Sequence, residues 1–336
     1  MKMIKNFKLW LFGLIFLFSC GKPNDPESLI PPDISGGYKI VNKFVTSGYA
    51  QDVLKKDNLL YIAQGEGGLM ILDVADPVNP EIVSVTTDDV RGYNTSLAMK
   101  DSVVYLAAGG FGLNVVDISD PLFPEVTATN VGVKPATSFA LRGDYLLVAI
   151  SEKGVGIAEI TDPTTPDVKG EFSISGYANG LAINDTTLLL VACGEMGMSI
   201  YNISDFQHGY GIYPHVGWCD TPGYAEAIKI RENDSIAFLA CGTAGLQIID
   251  YSDTSNIFIA GSYDVSGYAK DLEYKDNLVF MTTELSGLQI INVSDITNPT
   301  LVGIVETEYA LGLDLDENYI YLADDIEGII IISIPD

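Results

Sequence analysis

The sequence predicts an all-β fold, a seven-bladed β-propeller with four-stranded blades, and three observations carry that prediction. A unit of four short strands recurs seven times along the 336 residues, and periods of roughly 20 to 50 residues mark solenoids, propellers and arrays. The strands of every unit are bounded by glycine, Asx and proline turns. No stretch carries a sustained 3.6-residue apolar period with caps.

The repeat is plainest where the segment from Gly48, GYAQDVLKKDNLLYIAQGEGGLMILDVADPVNPEIVSV, is set against that from Gly267, GYAKDLEYKDNLVFMTTELSGLQIINVSDITNPTLVGIV. In the first unit, strand a runs from Ala50 to Lys55 and ends at the Asp57-Asn58 turn. Strand b covers Leu59 to Ala63, and the loop Gln64 to Gly67 leads to strand c, Leu69 to Val74. An Asp76-Pro77 turn, with Pro80 after it, leads to strand d, Glu81 to Thr86. A glycine before strand c marks each unit, at Gly68, Gly112, Gly156, Gly197, Gly245, Gly287 and Gly328. Strands b and c are almost continuously apolar, as in Leu246 to Asp250 and Gly328 to Ile332. Sheets covered on both faces by their neighbours require that pattern.

The two ends of the chain favour a closed ring. The seventh unit stops at Ile332-Ser333-Ile334-Pro335-Asp336, after strand c, while Tyr38 to Thr46 reads like a strand d that precedes the first unit. The expectation is that this N-terminal strand completes the last blade and removes an exposed edge.

Ahead of the ring, three lysines (Lys2, Lys5, Lys8) precede an apolar run from Leu9 to Phe18. The run is too short to span a bilayer and suits an export signal over residues 1–19. It ends in Leu17-Phe18-Ser19-Cys20-Gly21, which resembles the lipobox of bacterial lipoproteins. That resemblance implies lipidation at Cys20, membrane association through the lipid, and an exported protein at the outer membrane, facing either the periplasm or the cell surface. Residues 20–36, polar and proline-rich, read as a flexible tether, with the propeller over 37–336.

Gly-Leu-Gln-Ile-Ile-Asp-Tyr-Ser-Asp (245–253) and Gly-Leu-Asn-Val-Val-Asp-Ile-Ser-Asp-Pro (112–121) resemble LVIVD repeats, the β-propeller repeats of secreted and surface proteins. The resemblance covers about residues 38–336. It implies architecture and carries no general catalytic motif, so no functional residue transfers. The third and fourth units depart most from the pattern, with Pro135 in place of the turn tyrosine and Asp205-Phe206 in place of Asp-Pro.

Composition narrows the function. With 45 acidic against 18 basic residues the formal net charge is −27, and a surface of one sign repels nucleic acid. The two histidines, His208 and His215, both fall in the fourth unit, which leaves no material for repeated histidine chemistry. No Cys-x-x-Cys, His-Glu-x-x-His or phosphate-binding glycine loop occurs, and no cofactor or metal is expected. Asp73, Asp76, Asp117, Asp120 and Asp162 imitate a calcium motif, but they recur at the c–d turns, where capping explains them. Asp314 to Asn318 lacks the glycine and distal glutamate of an EF-hand loop. Cys193 and Cys241 hold equivalent positions in adjacent units and read as buried small apolar residues.

Two site candidates remain. Strand direction alternates, so the d–a turns and b–c loops share one face of the ring. There the Gly-Tyr-Ala turns place Tyr49, Tyr93, Tyr177, Tyr224, Tyr268 and Tyr309 at equivalent positions. The residues two further on vary: Gln51, Thr95, Thr137, Asn179, Glu226, Lys270 and Leu311. Repetition serves the fold, so variation beside it is where specificity is written. The second candidate is the long c–d connection of the fourth unit on the opposite face, with His208, Tyr210 and Tyr213. The leading expectation is a non-enzymatic binding or scaffold module for a protein or glycan. The alternative is a lyase or hydrolase using carboxylates and tyrosines at the central mouth.

Overall fold

The computed structural model describes residues 34–87, 89–184, 187–206 and 213–335. The expected signal segment, Cys20, His208 and Tyr210 lie outside the described residues. Within them, seven four-stranded antiparallel sheets form the blades of a β-propeller. Six blades are built in chain order; the first comprises Asp52–Lys56, Leu59–Ala63, Leu69–Asp73 and Glu81–Thr86. The seventh takes Ala310–Leu315, Tyr319–Asp324 and Gly328–Ser333 from the C-terminal end, and its outer strand, Lys39–Phe44, from the N-terminal end. Each inner strand packs on the inner strands before and after it, and the last packs on the first, which closes the ring.

The continuously apolar b and c strands follow from this stacking. One buried cluster fills each blade interface: Leu190, Ile200, Leu239 and Ile249 join the fourth and fifth blades, and Leu60, Leu72, Ile329 and Ile331 join the first and seventh. All eight side chains are fully buried, and each contributes about 1.5–3 kcal/mol relative to exposure.

The glycine before each strand c has a steric reason. At Gly68, Gly112, Gly154, Gly197, Gly245, Gly287 and Gly328 φ lies between +68° and +98°. A Cβ there would sit 2.2–2.4 Å from the carbonyl oxygen of a strand d residue, such as Thr86 or Phe44. Only glycine fits both constraints. This corrects the third blade, where the sequence pattern picks Gly156. The loop glycine is Gly154, while Gly156 lies inside the strand Val155–Glu159, where it makes room for Val133.

The c–d turns are capped as expected. Asp73 and Asp117 accept the N–H of Ala75 and Ser119 at 2.8 Å, and Asp76, Asp120 and Asp162 accept that of Val78, Leu122 and Thr164 at 3.0–3.1 Å. The Asn79 amide on Asp76 and the Thr164 hydroxyl on Asp162, together with those N–H groups, hold these two exposed carboxyls below the usual carboxylate range. In place of an EF-hand, Asp316 accepts the N–H groups of Asn318 and Tyr319 and the Tyr321 hydroxyl. Cys193, Cys219 and Cys241 are buried free thiols.

The chain joins the fold slightly earlier than the expected end of the tether. Ile34 accepts the Ile304 N–H at 2.8 Å, and Ser35 and Gly36 close over Gly303 in the outer strand of the sixth blade. In the fifth blade the equivalent glycine, Gly261, is covered by Ile296 in the c–d turn of the next blade. The N-terminal segment therefore replaces a turn as well as a strand.

Candidate functional site

The inner strands start directly after the Gly-Tyr-Ala turns, so their first residues surround one end of the central channel. All seven variable positions, Gln51, Thr95, Thr137, Asn179, Glu226, Lys270 and Leu311, line a single cavity of about 540 Å³ there. Ring closure brings together residues up to 260 positions apart in the chain.

The tyrosines do not line that cavity. Their neighbours Asn94, Ala178, Ala225, Ala269 and Ala310 form backbone bridges to the b–c loop of the preceding blade, as does Ala136 after Pro135. The rings of Tyr93, Tyr224 and Tyr268 lie over Gly65, Gly194 and Gly242, where a Cβ would come within 2.7–2.8 Å of ring atoms. Tyrosine thus seals one blade to the next. Tyr49, Tyr93 and Tyr177 nevertheless remain 58%, 40% and 48% exposed on the same face, outside the cavity lining. Tyr309 is half-buried.

Around the mouth the polar side chains are tied down. Gln51 Nε2 donates to Asp325 Oδ1 at 2.5 Å and Asn179 Nδ2 to the Ala225 carbonyl at 2.9 Å. Glu226 accepts from the Tyr268 hydroxyl at 2.7 Å and from Lys270 Nζ at 3.1 Å. Burial, with the Glu226 carboxylate, raises the Tyr268 phenol above its ordinary value.

Deeper in the cavity lies a group that the sequence reading did not single out: Asp52, Lys229, Asp271, Glu273 and Asp314. All come from the fifth, sixth, seventh and first blades, whereas the facing blades offer Ser96, Ser138 and Gly180. Asp52 accepts Ser96 Oγ at 2.9 Å and the Leu97 N–H at 3.1 Å; Asp314 accepts the Lys55 N–H at 2.7 Å. These carboxylates satisfy backbone donors on the free edge of the next inner strand, which no strand pairs. Lys229 is ion-paired with Glu273. Its burial opposes the charge, but Glu273, Asp271 and Asp314 outweigh that and raise its pKa. The clue in the sequence was a charged residue three or five positions after the turn tyrosine in these four blades, where the other three carry Ser96 and Ala98, Ser138 and Ala140, and Gly180 and Ala182.

Burial pushes the Asp52 carboxyl upward, and the negative charge of Asp271 adds to it; burial likewise raises Asp271, with Lys229 opposing. A carboxyl raised on folding favours the fold at and below its unfolded value, about pH 4, and loses that contribution as pH rises through the folded value. We therefore expect melting temperature to fall by a few degrees between about pH 5 and about pH 8. Asp52→Asn should flatten that slope in a thermal melt; an unaltered slope would assign it to the net surface charge instead.

On the opposite face, Tyr213 turns inward. Its ring contacts Phe172 and Phe206 at centroid distances of 4.7 and 5.6 Å, and its hydroxyl is buried. It is part of the packing between the third and fourth blades. Among the described residues, no group of three or more His, Cys, Asp or Glu side chains is placed to hold a metal ion.

An LVIVD-repeat family profile matches residues 47–88, 91–127, 135–173, 222–265 and 266–307, together more than half of the chain. The chain belongs to the LVIVD-repeat family. The matched stretches include the third blade, despite Pro135, and leave out the fourth and the seventh. The crystal structure of a computationally designed protein, Ika8, is similar to this LVIVD-repeat propeller. Its TM-score is 0.61 over 89% of this chain and 100% of that one, at 10% sequence identity. At that identity the likeness concerns fold alone. No curated protein matches the chain.

Proposed function

We propose that this LVIVD-repeat protein is an exported propeller, lipid-anchored through Cys20 at the outer membrane. In this reading it is a non-enzymatic module that binds a protein or glycan at the channel mouth. The observation that carries the binding role is the convergence of all seven variable side chains on one cavity, with Tyr49, Tyr93 and Tyr177 partly exposed on the same face. A concave site with a few placed polar groups and aromatic area around it is the usual form of a ligand site. Lipid on Cys20 would tether the ring to a membrane, and several acyl chains are needed for stable anchoring.

An enzymatic reading draws on the raised carboxylates Asp52 and Asp271, since such groups often serve as acids or bases. Binding is the better-supported reading, because Asp52 and Asp271 are both committed to backbone donors.

Capture of envelope components on immobilised protein tests the site. The Glu226→Ala, Lys270→Ala double variant should lose specific partners while melting near the wild-type temperature. Phe123→Ser, at a 74% exposed turn residue of the opposite face, should retain them. The reverse pattern would move the site to the c–d face. Cys20→Ala should shift the protein from the membrane to the soluble fraction, and retention in the membrane would refute the lipid anchor.

A further inference from the structure

We infer that the mouth cavity receives a donor-rich organic cation, an ammonium or guanidinium group, an inference that rests on reading the mouth as the ligand site. The hydrogen-bonding state of the rim points to it. Gln51 and Asn179 direct their amide nitrogens at Asp325 and at the Ala225 carbonyl. Each amide nitrogen spends one of its two N–H groups there, and the amide oxygens keep both lone pairs for a ligand. Thr137 spends its hydroxyl proton on the Ala149 carbonyl at 3.1 Å, and Thr95 directs its own at the Ala107 carbonyl at 3.5 Å. Four rim positions on four blades therefore offer mainly acceptors: the fold takes both threonine hydroxyl protons and one N–H of each amide.

Charge acts in the same direction. The cavity holds Asp52, Glu226, Asp271, Glu273 and Asp314 against Lys229 and Lys270, and both lysines are paired with cavity glutamates. A neutral sugar would find acceptors but few free donors, leaving half of each hydroxyl's capacity unused. A metal ion needs oxygens gathered within about 2–2.6 Å of one point, whereas these acceptors are spread around a ring. A cavity of about 540 Å³ accommodates an extended amine or a basic side chain, and the acidic surface draws cations toward it.

Calorimetry on the full chain in detergent tests this with spermidine, arginine amide, a lysine-rich peptide, and neutral maltotriose. At least one cationic probe should bind, about tenfold more weakly when salt rises from about 50 to about 500 mM. Binding by the free amines identifies a small-molecule source; binding by the peptide alone identifies a protein source. Thr137→Arg, which places a cation in the mouth, should weaken cation binding at least about tenfold. Thr95→Lys asks the same from another blade should the first variant fold poorly. Maltotriose binding that Thr137→Arg abolishes, without cation binding, would overturn the cation and leave the mouth as the site. Cation binding unaffected by either variant would overturn both readings, and binding of no probe would overturn the cation.

Discussion

Deleting residues 34–44 is expected to abolish cooperative unfolding or to lower the melting temperature by more than about 10 °C. The segment is the outer strand of the seventh blade, where Ile40 pairs with Ile332 and Phe44 with Ile329. Its removal uncovers the edge of Gly328–Ser333, in which Ile329, Ile330, Ile331 and Ile332 are fully buried. It also removes Tyr38, 3% exposed and edge-on to Phe280 at 6.2 Å, and the contact of Ile34 with Ile304. Each lost apolar side chain costs about 1.5–3 kcal/mol and each lost hydrogen bond about 1 kcal/mol. The total approaches the roughly 5–15 kcal/mol that separates folded from unfolded domains. A bare isoleucine edge also recruits other chains, so aggregation in light scattering is the companion readout. Ile40→Lys changes a 37% exposed position on the same strand and should leave the melt nearly unaltered. A soluble deletion variant with a wild-type melt would show that the ring does not depend on this closure.

The second large effect is expected at Asp324. It is fully buried, and it accepts the N–H groups of Tyr309 at 2.7 Å, Glu327 at 2.8 Å and Ile326 at 3.0 Å. Of the equivalent residues in other blades, Gln64 accepts the Gly48 N–H and the Ser47 hydroxyl, whereas Ala108 and Ile150 have no side-chain acceptor to offer. Asp324→Ala would leave three donors unsatisfied at about 1–3 kcal/mol each, so a loss of at least about 3 kcal/mol is expected in chemical denaturation. The same loop presents Asp325, which holds Gln51 at the mouth. Ligand binding should therefore weaken together with stability. A change below about 1 kcal/mol would mean that water replaces the carboxylate and that the loop is not anchored by it.

These two positions show how unevenly the structure was legible. Ring closure could be read from the chain ends, because a strand missing its partner and a partner missing its strand are both local patterns. Asp324 could not be singled out, since an aspartate at the start of a loop looks like any turn residue until its burial is known. At the mouth the variable positions were found by comparing repeats, and ring closure does bring all seven to one cavity. The tyrosines, equally prominent in the pattern, sit over the neighbouring blade's glycines instead. Gly154 shows the same limit in miniature, because two glycines two residues apart look alike until φ and a carbonyl oxygen distinguish them.

By itself, the sequence determined the number of blades, the strand order within them, the turn chemistry, the closing strand and which side chain varies beside each repeated turn. All of these depend on residues a few positions apart, where alternation, φ preference and Asx hydrogen bonding act. Only the tertiary structure decided which variable residues meet and which donors the fold consumes. It also decided that Asp52 and Asp314 become strand clasps inside a charged channel. Those outcomes depend on the rotation from blade to blade and on closure of the ring. Closure places side chains from distant parts of the chain within hydrogen-bonding distance and removes them from bulk water.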